Sequence, residues 1–203
     1  MKMKKYLVMV VAAMMATMNV NAQNEDLKHE IGVSYGVGIS TIADGIGNAI
    51  GSGLWDGLTG YEWTNDTRVG TVAVEYFYHM KNPRLAVGGV VTYAQYGEDV
   101  MKKDTKQITG ERTRHYFSVM PSVKYYWVNK NHFGFYSKAA AGVMMLVDKR
   151  NDKELNKNET DNDIFFMGQV SPVGVEFGSK VRGFVEAGFG EQGIVLAGLK
   201  YKF

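Results

Sequence analysis

Residues 113–127 read TRHYFSVMPSVKYYW, and apolar and polar side chains alternate along them. One face of this segment carries His115, Phe117, Val119, Pro121, Val123, Tyr125 and Trp127. The opposite face carries Arg114, Tyr116, Ser118, Met120, Ser122, Lys124 and Tyr126. Alternation with a period of two predicts a β-strand whose two faces meet different surroundings.

The same alternation recurs along the chain and predicts an all-β protein of eight strands. The predicted strands span residues 27–39, 71–78, 85–96, 113–127, 133–145, 165–177, 182–189 and 194–203. With one register for each strand, no Asp, Glu, Lys or Arg falls on the apolar face. The other face carries all charges of these spans, which are Lys28, Glu30, Glu75, Arg114, Lys124, Lys138, Glu176, Arg182, Glu186, Lys200 and Lys202.

The composition of the two faces predicts which one points inward. The apolar face is rich in Tyr, Trp and Phe, whereas the charged face also carries many Gly and Ala. The interior of a closed eight-stranded barrel is only just wide enough for side chains, so we expect small residues and paired charges inside and large aromatic residues outside. This is the pattern of a barrel in lipid, where an outward Lys or Arg costs about 2–4 kcal/mol at the bilayer midplane.

The connections and aromatic residues fit an antiparallel up-and-down transmembrane barrel with both termini in the periplasm. Long surface loops are predicted at 40–70, 97–112 and 146–164, and short links at 79–84, 128–132, 178–181 and 190–193. A periplasmic aromatic girdle is predicted from Tyr76, Tyr78, Tyr125, Trp127, Phe133, Phe135, Phe177, Tyr201 and Phe203. An outer girdle is predicted from Tyr35, Tyr93, Phe117, Phe165 and Phe189.

The first 22 residues are predicted to be a secretory signal peptide, which leaves residues 23–203 as the barrel domain. Lys2, Lys4 and Lys5 precede a short apolar stretch that ends in Val20-Asn21-Ala22. Without those three lysines, the 23 basic residues fall to 20 against 21 acidic ones, and nothing favours nucleic-acid binding. The chain has no Cys, which excludes a disulfide scaffold and a thiolate metal site.

The C-terminus carries the most specific family signal. Residues 195–203 read VLAGLKYKF and end on an aromatic residue, with Leu199, Tyr201 and Phe203 at alternate positions. This segment resembles the terminal strand of outer-membrane barrels. Residues 169–178 (QVSPVGVEFG), 184–190 (FVEAGFG) and 120–127 (MPSVKYYW) look similar to other strands of the small outer-membrane β-barrel family, which includes the OmpA transmembrane domain, OmpX and opacity-type barrels.

The resemblance implies a location in the outer membrane of a Gram-negative bacterium. It implies that Leu199, Tyr201 and Phe203 form the signal read by the barrel-assembly machinery, with periplasmic chaperones as further partners during biogenesis. Outer-membrane lipid and lipopolysaccharide are the expected surroundings. It names no ligand or protein partner for the surface loops.

The inward charges allow two interpretations. Four acids are expected to meet four bases in the lumen, namely Glu30, Glu75, Glu176, Glu186, Arg114, Lys124, Lys138 and Lys200. They would form either a narrow pathway for ions or small solutes, or a salt-bridged plug that satisfies groups hidden from bulk water. The narrow interior of eight strands favours the plug.

Two loops also suggest sites. Apolar residues recur every four positions in the first loop at Ile42, Ile46, Ile50, Leu54 and Leu58, which suggests a short helix. That helix would rest on the membrane or form a lid at the barrel mouth. The loop from Asp148 to Asp163 is a solvated charged tip, or it binds divalent cations or lipopolysaccharide phosphates.

A lipid-modifying enzyme is the remaining alternative. Such an enzyme would need a Ser–His pair with an acid at the outer leaflet. Only His115 lies near the outer end, with Ser118 on the opposite face. No His pair has metal-ligand spacing. The sequence therefore predicts a non-enzymatic barrel without cofactor or metal, with a structural or surface-interaction role.

Overall fold

The computed structural model describes residues 27–36, 61–102, 108–152 and 157–203. These residues form eight strands: β1 (His29–Gly36), β2 (Tyr61–His79), β3 (Leu85–Lys102), β4 (Ile108–Asn129), β5 (Phe133–Asp152), β6 (Lys157–Gly178), β7 (Val181–Gly190) and β8 (Val195–Lys202). No helix in these ranges is both long and apolar enough to cross a membrane. The predicted signal peptide and the predicted helix of the first loop lie outside the described residues.

The strands close into one antiparallel ring in sequence order, as predicted. Each strand pairs with its neighbours in the chain, and β1 pairs with β8 from Glu30↔Lys202 to Gly36↔Leu196. The backbones of His29 and Phe203 exchange two hydrogen bonds of 2.9 and 2.8 Å at this seam. Closure pairs the seam strands with each other, which a membrane-spanning sheet requires because lipid offers backbone groups no partner.

The inward and outward faces are those predicted for seven of the strands. On β1, Glu30, Gly32, Ser34 and Gly36 are buried, and the side chains between them are more exposed. On β8, Leu196, Lys200 and Lys202 point inward, whereas Val195 and Leu199 are 61% and 53% exposed. The apolar face therefore points away from the barrel axis.

The sixth strand does not keep one register, and the prediction for its outer half was wrong. Its pairing with β5 shifts between Tyr136↔Gly174 and Lys138↔Ser171, which inserts Pro172 and Val173 as a β-bulge. Beyond the bulge the faces exchange, so Gln169 and Ser171 are buried. A proline is tolerated at such a bulge because it has no N–H to donate to the ladder.

The bulge also corrects one member of the predicted outer girdle. Phe165 pairs directly with Met144, which is a buried member of an inner cluster with Tyr96 and Tyr116. Directly paired residues point to the same side of a sheet, so Phe165 lies on the inner face and does not belong to the outer girdle. Ile164 and Phe166 take the outward positions and are 75% and 90% exposed.

Two of the predicted surface loops are largely strand, and the first predicted loop overlaps β2. Pairing between β3 and β4 continues to Met101↔Ile108, and pairing between β5 and β6 continues to Asp152↔Lys157. β2 begins at Tyr61. Strands β2 to β6 therefore rise beyond β7 and β8 as a protruding sheet. We call the end with His29 and Phe203 the terminal end and the opposite end the loop end.

Candidate functional site

The terminal half of the barrel interior holds a dense group of ionised side chains. They come from inward positions on β1, β2, β4, β5, β6, β7 and β8, because each of these strands places an acid or a base on its polar face. We call this group the lumen cluster, and it consists of Glu30, Glu75, Lys124, Lys138, Glu176, Arg182, Glu186, Lys200 and Lys202. All of them are buried, with exposures of 5% or less.

Two lysines link carboxylates from different sides of the ring. Nζ of Lys124 lies 2.7 Å from Oε1 of Glu30 and 2.6 Å from Oε1 of Glu75. Nζ of Lys138 lies 3.2 Å from Oε2 of Glu75 and 2.6 Å from Oε2 of Glu186. These contacts form one chain of alternating charge across the lumen, from β1 through β4, β2 and β5 to β7.

A second part of the cluster surrounds Glu176. Arg182 Nη1 lies 2.6 Å from Oε1 of Glu176, and Lys202 Nζ lies 2.9 Å from the same oxygen. Lys200 forms an ion pair with Oε2 of Glu176 and lies 3.4 Å from Oε1 of Glu30, which joins the two parts. Glu30 and Glu176 therefore each face several cations, and this pairing offsets the cost of removing the charges from water.

Large aromatic side chains also fill the lumen, so the expectation that small residues and paired charges would fill the interior was incomplete. Tyr136 Oη donates to Oε1 of Glu186 at 2.8 Å, and Tyr126 Oη lies 3.3 Å from Oε2 of Glu30. The ammonium of Lys124 lies 3.9 Å from the centre of the Phe77 ring. Inward tyrosines are stable here because their hydroxyls reach carboxylates that need donors.

Inward glycines make the space for these rings. A Cβ on Gly174 would lie 2.6 Å from the Tyr136 ring, and a Cβ on Gly198 would lie 2.7 Å from the Phe184 ring. Both distances are shorter than any carbon–carbon contact allows. Gly174 and Gly198 are therefore packing partners of inward rings, whereas Gly32 and Gly134 leave room for the side chains of Glu75 and Glu176.

Three basic residues of this interior were not among the predicted site residues. Lys202 and Arg182 lie on the predicted polar face, and counting that face in full would have included them. His79 lies one residue beyond the predicted end of its strand, and its Nε2 is 3.1 Å from Oε2 of Glu30. The alternation identifies His79 once β2 is extended by that residue.

Arg114 was predicted to join the lumen cluster, but the structure places it in a separate group near the loop end. Its Nε lies 3.7 Å from Oδ2 of Asp148. Arg112 donates to both carboxylate oxygens of Asp148, at 3.0 Å from Nε to Oδ1 and 2.5 Å from Nη2 to Oδ2. Arg112 Nη1 also lies 3.7 Å from Oε1 of Glu98. We call these residues, with Arg150, the outer cluster.

Asp148 lies beyond the apolar part of β5 and has a perturbed acidity. Partial burial acts to raise the pKa of its carboxyl, but the hydrogen bonds and charges of Arg112 and Arg150 outweigh this effect and hold the pKa below its ordinary value. Asp148 is therefore ionised at neutral pH.

The turn between β7 and β8 closes the lumen further toward the loop end. Glu191 and Gln192 in this turn are 0% and 1% exposed. Oε1 of Gln169 accepts from the backbone N–H of Gln192 at 3.0 Å, and its Nε2 donates to the carbonyl of Gly193 at 3.0 Å. The turn lies inside the protruding sheet, where the buried amide of β6 holds it across the mouth of the barrel.

The outside of the barrel is an apolar belt between two aromatic rows. Trp127 and Phe117, ten residues apart on β4, are 57% and 42% exposed. A strand tilted by about 40° gains about 2.5 Å of height per residue, so these rings are about 25 Å apart along the membrane normal. That height matches the apolar band of outer-membrane barrels. An apolar exterior around an ionised interior is the architecture of a small outer-membrane β-barrel, as predicted.

The predicted terminal signal lies on the outer face of β8. Leu199 is 53% exposed and Phe203 is 42% exposed, and the rings of Tyr201 and Phe203 stack with centroids 5.8 Å apart. His29 stacks on Phe203 with centroids 5.4 Å apart. These side chains form a continuous apolar ridge next to the seam of the barrel.

The pair considered for an enzyme is divided by the barrel wall. Ser118 is buried inside, where its Oγ lies 2.5 Å from Oγ1 of Thr92. His115 lies on the outer face, and its Nδ1 is 3.0 Å from Tyr93 Oη. Within the described ranges, no group of three or more His, Asp or Glu is placed to hold a metal ion.

Comparison with known proteins gives a remote likeness. No protein-family model and no curated protein sequence matches the chain. It is similar to Ail, the attachment invasion locus protein of Yersinia pestis, in complex with the heparin analogue sucrose octasulfate, with 12% identity, a TM-score of 0.47, and 87% of this chain and 99% of that chain covered. A structure of Ail alone gives 12% identity and a TM-score of 0.46 over 87% of this chain and 97% of that chain.

Proposed function

We propose that this protein is a closed outer-membrane barrel that anchors a surface-interaction platform and conducts no solutes. The terminal end faces the periplasm, and the protruding part of strands β2 to β6 faces the exterior. The lumen cluster acts as a structural plug. Recognition is assigned to the protruding sheet and to the links at the loop end.

The observation that carries the proposal is the continuity of the ion-pair chain across the lumen. Lys124 reaches Glu30 on β1 and Glu75 on β2 from β4. Lys138 extends the contact from β5 to Glu186 on β7. A conducting pore needs charged groups that water reaches, as in wide barrels, but the side chains of these five residues are 0% exposed.

The low position of the turn between β7 and β8 supports the same conclusion. Gln192 and Gly193 are held by Gln169, so the loop end of the lumen is occupied by protein as well. A solute would have to displace this turn and then break the ion-pair chain. Both steps would leave buried polar groups without partners.

A platform for interactions is supported by the shape of the ring. β5 and β6 pair out to Asp152↔Lys157, whereas β7 ends at Gly190, where it pairs with Gln169 of β6. Long strands cost ordering free energy, and the barrel alone does not need them, since about 9–11 residues span the bilayer. We infer that the extra length displays side chains above the membrane.

Planar-bilayer recording of the purified barrel tests the plug. We expect no conductance above the leak of the lipid. A variant that truncates the plug, Tyr136→Ala combined with Lys138→Ala, should show discrete small currents if it remains folded, as judged by heat-modifiable gel migration. Stable ion currents through the unmodified protein would contradict the proposal that the lumen is plugged and would favour a narrow pore.

Surface proteolysis of intact cells tests the orientation and the platform. Proteases should cut within 103–107 or 153–156 from outside the cell, and the turns at 80–84 and 130–132 should be cut only after the envelope is opened. Cleavage of the short turns from outside would reverse the orientation. Protection of all sites in a protein that fractionates with the soluble periplasm would reject the membrane location.

A further inference from the structure

A groove on the outer face of the barrel has the features of a lipid-binding site. It lies near the loop end across β3, β4 and β5, has a volume of about 540 Å³, and is lined by Tyr93, His115, Phe117, Val147 and Lys149. The lining residues point outward, so the groove is separate from the lumen cluster and from the outer cluster. The groove is shallow and largely open to the surroundings.

The height of the groove places it at the outer boundary of the hydrocarbon. Phe117 is the outer aromatic residue of β4, about 25 Å above Trp127 by strand rise and tilt. Val147 pairs directly with His115, two residues further out. Phe117 therefore meets the upper part of an acyl chain, and His115, Val147 and Lys149 lie further out, toward the lipid headgroups.

The upper edge of the groove is polar and held in place. Tyr93 Oη donates to Oε1 of Gln95 at 3.2 Å and lies 3.0 Å from Nδ1 of His115. The Tyr93 ring stacks on His115, with centroids 6.2 Å apart, and packs at 5.0 Å against Phe117. These contacts fix aromatic faces and hydrogen-bonding groups side by side, an arrangement suited to a sugar ring attached to an acyl chain.

The charge of the groove is a single lysine. Lys149 is exposed on the outer face, whereas Arg112 and Arg150 are directed to Asp148 on the inner face. Its ammonium has no ion-pair partner among the described residues. A cation above an apolar groove at a membrane surface favours a negatively charged headgroup, by about 1 kcal/mol for each basic residue.

We propose that this groove binds one phosphorylated glycolipid of the outer leaflet, the lipid A part of lipopolysaccharide. An acyl chain lies against Phe117, the sugar against Tyr93, His115 and Val147, and a phosphate next to Lys149. This inference depends on the proposed orientation, because only the outer leaflet presents such a lipid at the loop end.

Native mass spectrometry of the folded barrel, with lipid A added as the probe, tests the site. Lys149→Gln should reduce the affinity for phosphorylated lipid A about fivefold and leave the affinity for dephosphorylated lipid A unchanged. Lys130→Gln removes the same charge from an exposed turn at the terminal end and should change neither. Equal losses in the two variants would overturn the assignment of the phosphate to Lys149.

The apolar part of the site has its own matched pair. Phe117→Ala should weaken both forms of lipid A, whereas Phe189→Ala, which removes an outward ring from the distant strand β7, should weaken neither. Phosphatidylglycerol is the comparison lipid. If it bound as tightly as lipid A and its binding fell equally with Lys149→Gln, the assignment of a glycolipid as the ligand would be overturned. Heat-modifiable gel migration is checked first, to show whether the barrel has folded and inserted. Failure of the barrel to insert counts against the proposed function. Insertion without lipid A binding overturns this inference alone.

Discussion

Lys124 and Glu30 lie 94 positions apart in the sequence, and Nζ of the lysine is 2.7 Å from Oε1 of the glutamate in the middle of the barrel. The two residues belong to β4 and β1, which are not neighbours in the ring. Their contact therefore crosses the lumen. It shows that buried charges are part of the packed interior of this barrel, together with inward aromatic side chains such as Phe77 and Tyr136.

Replacing Lys124 by Met should destabilise the barrel by about 3 kcal/mol, because removal of one member leaves buried carboxylates without sufficient compensation. The free energy of unfolding in urea, measured in detergent micelles, gives the change. Lys81→Met is the control, since Lys81 is exposed in the turn between β2 and β3. A variant at Lys124 as stable as the control would show that the ion-pair chain contributes nothing to folding.

Gly174→Ala should cost about 1–3 kcal/mol, because the new methyl group would lie 2.6 Å from the Tyr136 ring and force it to move. Gly89→Ala is the matched control in another strand, where the nearest atom to the added Cβ is a carbonyl oxygen at 3.6 Å. Urea unfolding midpoints of the two variants are compared. Similar midpoints would contradict the packing of inward rings against inward glycines.

Gln169→Ala should loosen the turn between β7 and β8, since it removes the hydrogen bonds to the backbones of Gln192 and Gly193. Amide hydrogen exchange at residues 191–194 should become at least about fivefold faster, the ratio that corresponds to roughly 1 kcal/mol for a lost hydrogen bond. Gln192→Met serves as the control. The side-chain amide of Gln192 has no hydrogen-bond partner among the described residues, so its replacement should leave the exchange unchanged.

Acidification should open the outer cluster through protonation of Asp148. Because the pKa of Asp148 is below its ordinary value in the folded protein, its contribution is fully present above that ordinary value and is lost as the pH falls through the folded pKa. Hydrogen exchange of Arg112, Asp148 and Arg150 should accelerate only below about pH 4. Asp148→Asn should abolish this pH dependence, and an unchanged acid response in that variant would assign it to another group.

The alternation of the sequence was sufficient to predict the ring of eight strands and the orientation of most side chains. A period of two is a local property, and Leu199 to Phe203 shows it without interruption. The bulge at Pro172 and Val173 was missed because an inserted residue leaves both halves of the strand alternating. Proline inside an otherwise regular strand was the available signal.

The contacts of the side chains in the lumen were less predictable than the outward orientation of the apolar belt. Tyr126 and Tyr136 lie on the polar face, but hydrophobicity alone does not show that their hydroxyls meet Glu30 and Glu186. The alternation shows on which face of the strand Arg114 lies, but it does not show how far along the barrel axis this residue lies. The sequence therefore placed Arg114 with the lumen cluster. Height depends on strand tilt and stagger, which are properties of the closed ring.

The central claim is that the apolar face of each strand meets lipid and the charged face meets the barrel axis. The chain has no native Cys, so single cysteines on β4 test it directly in reconstituted membranes with a maleimide confined to the hydrocarbon phase. Val119→Cys and Val123→Cys should react, whereas Ser118→Cys and Ser122→Cys should remain unlabelled. Labelling of the serine positions with protection of the valine positions would contradict the account.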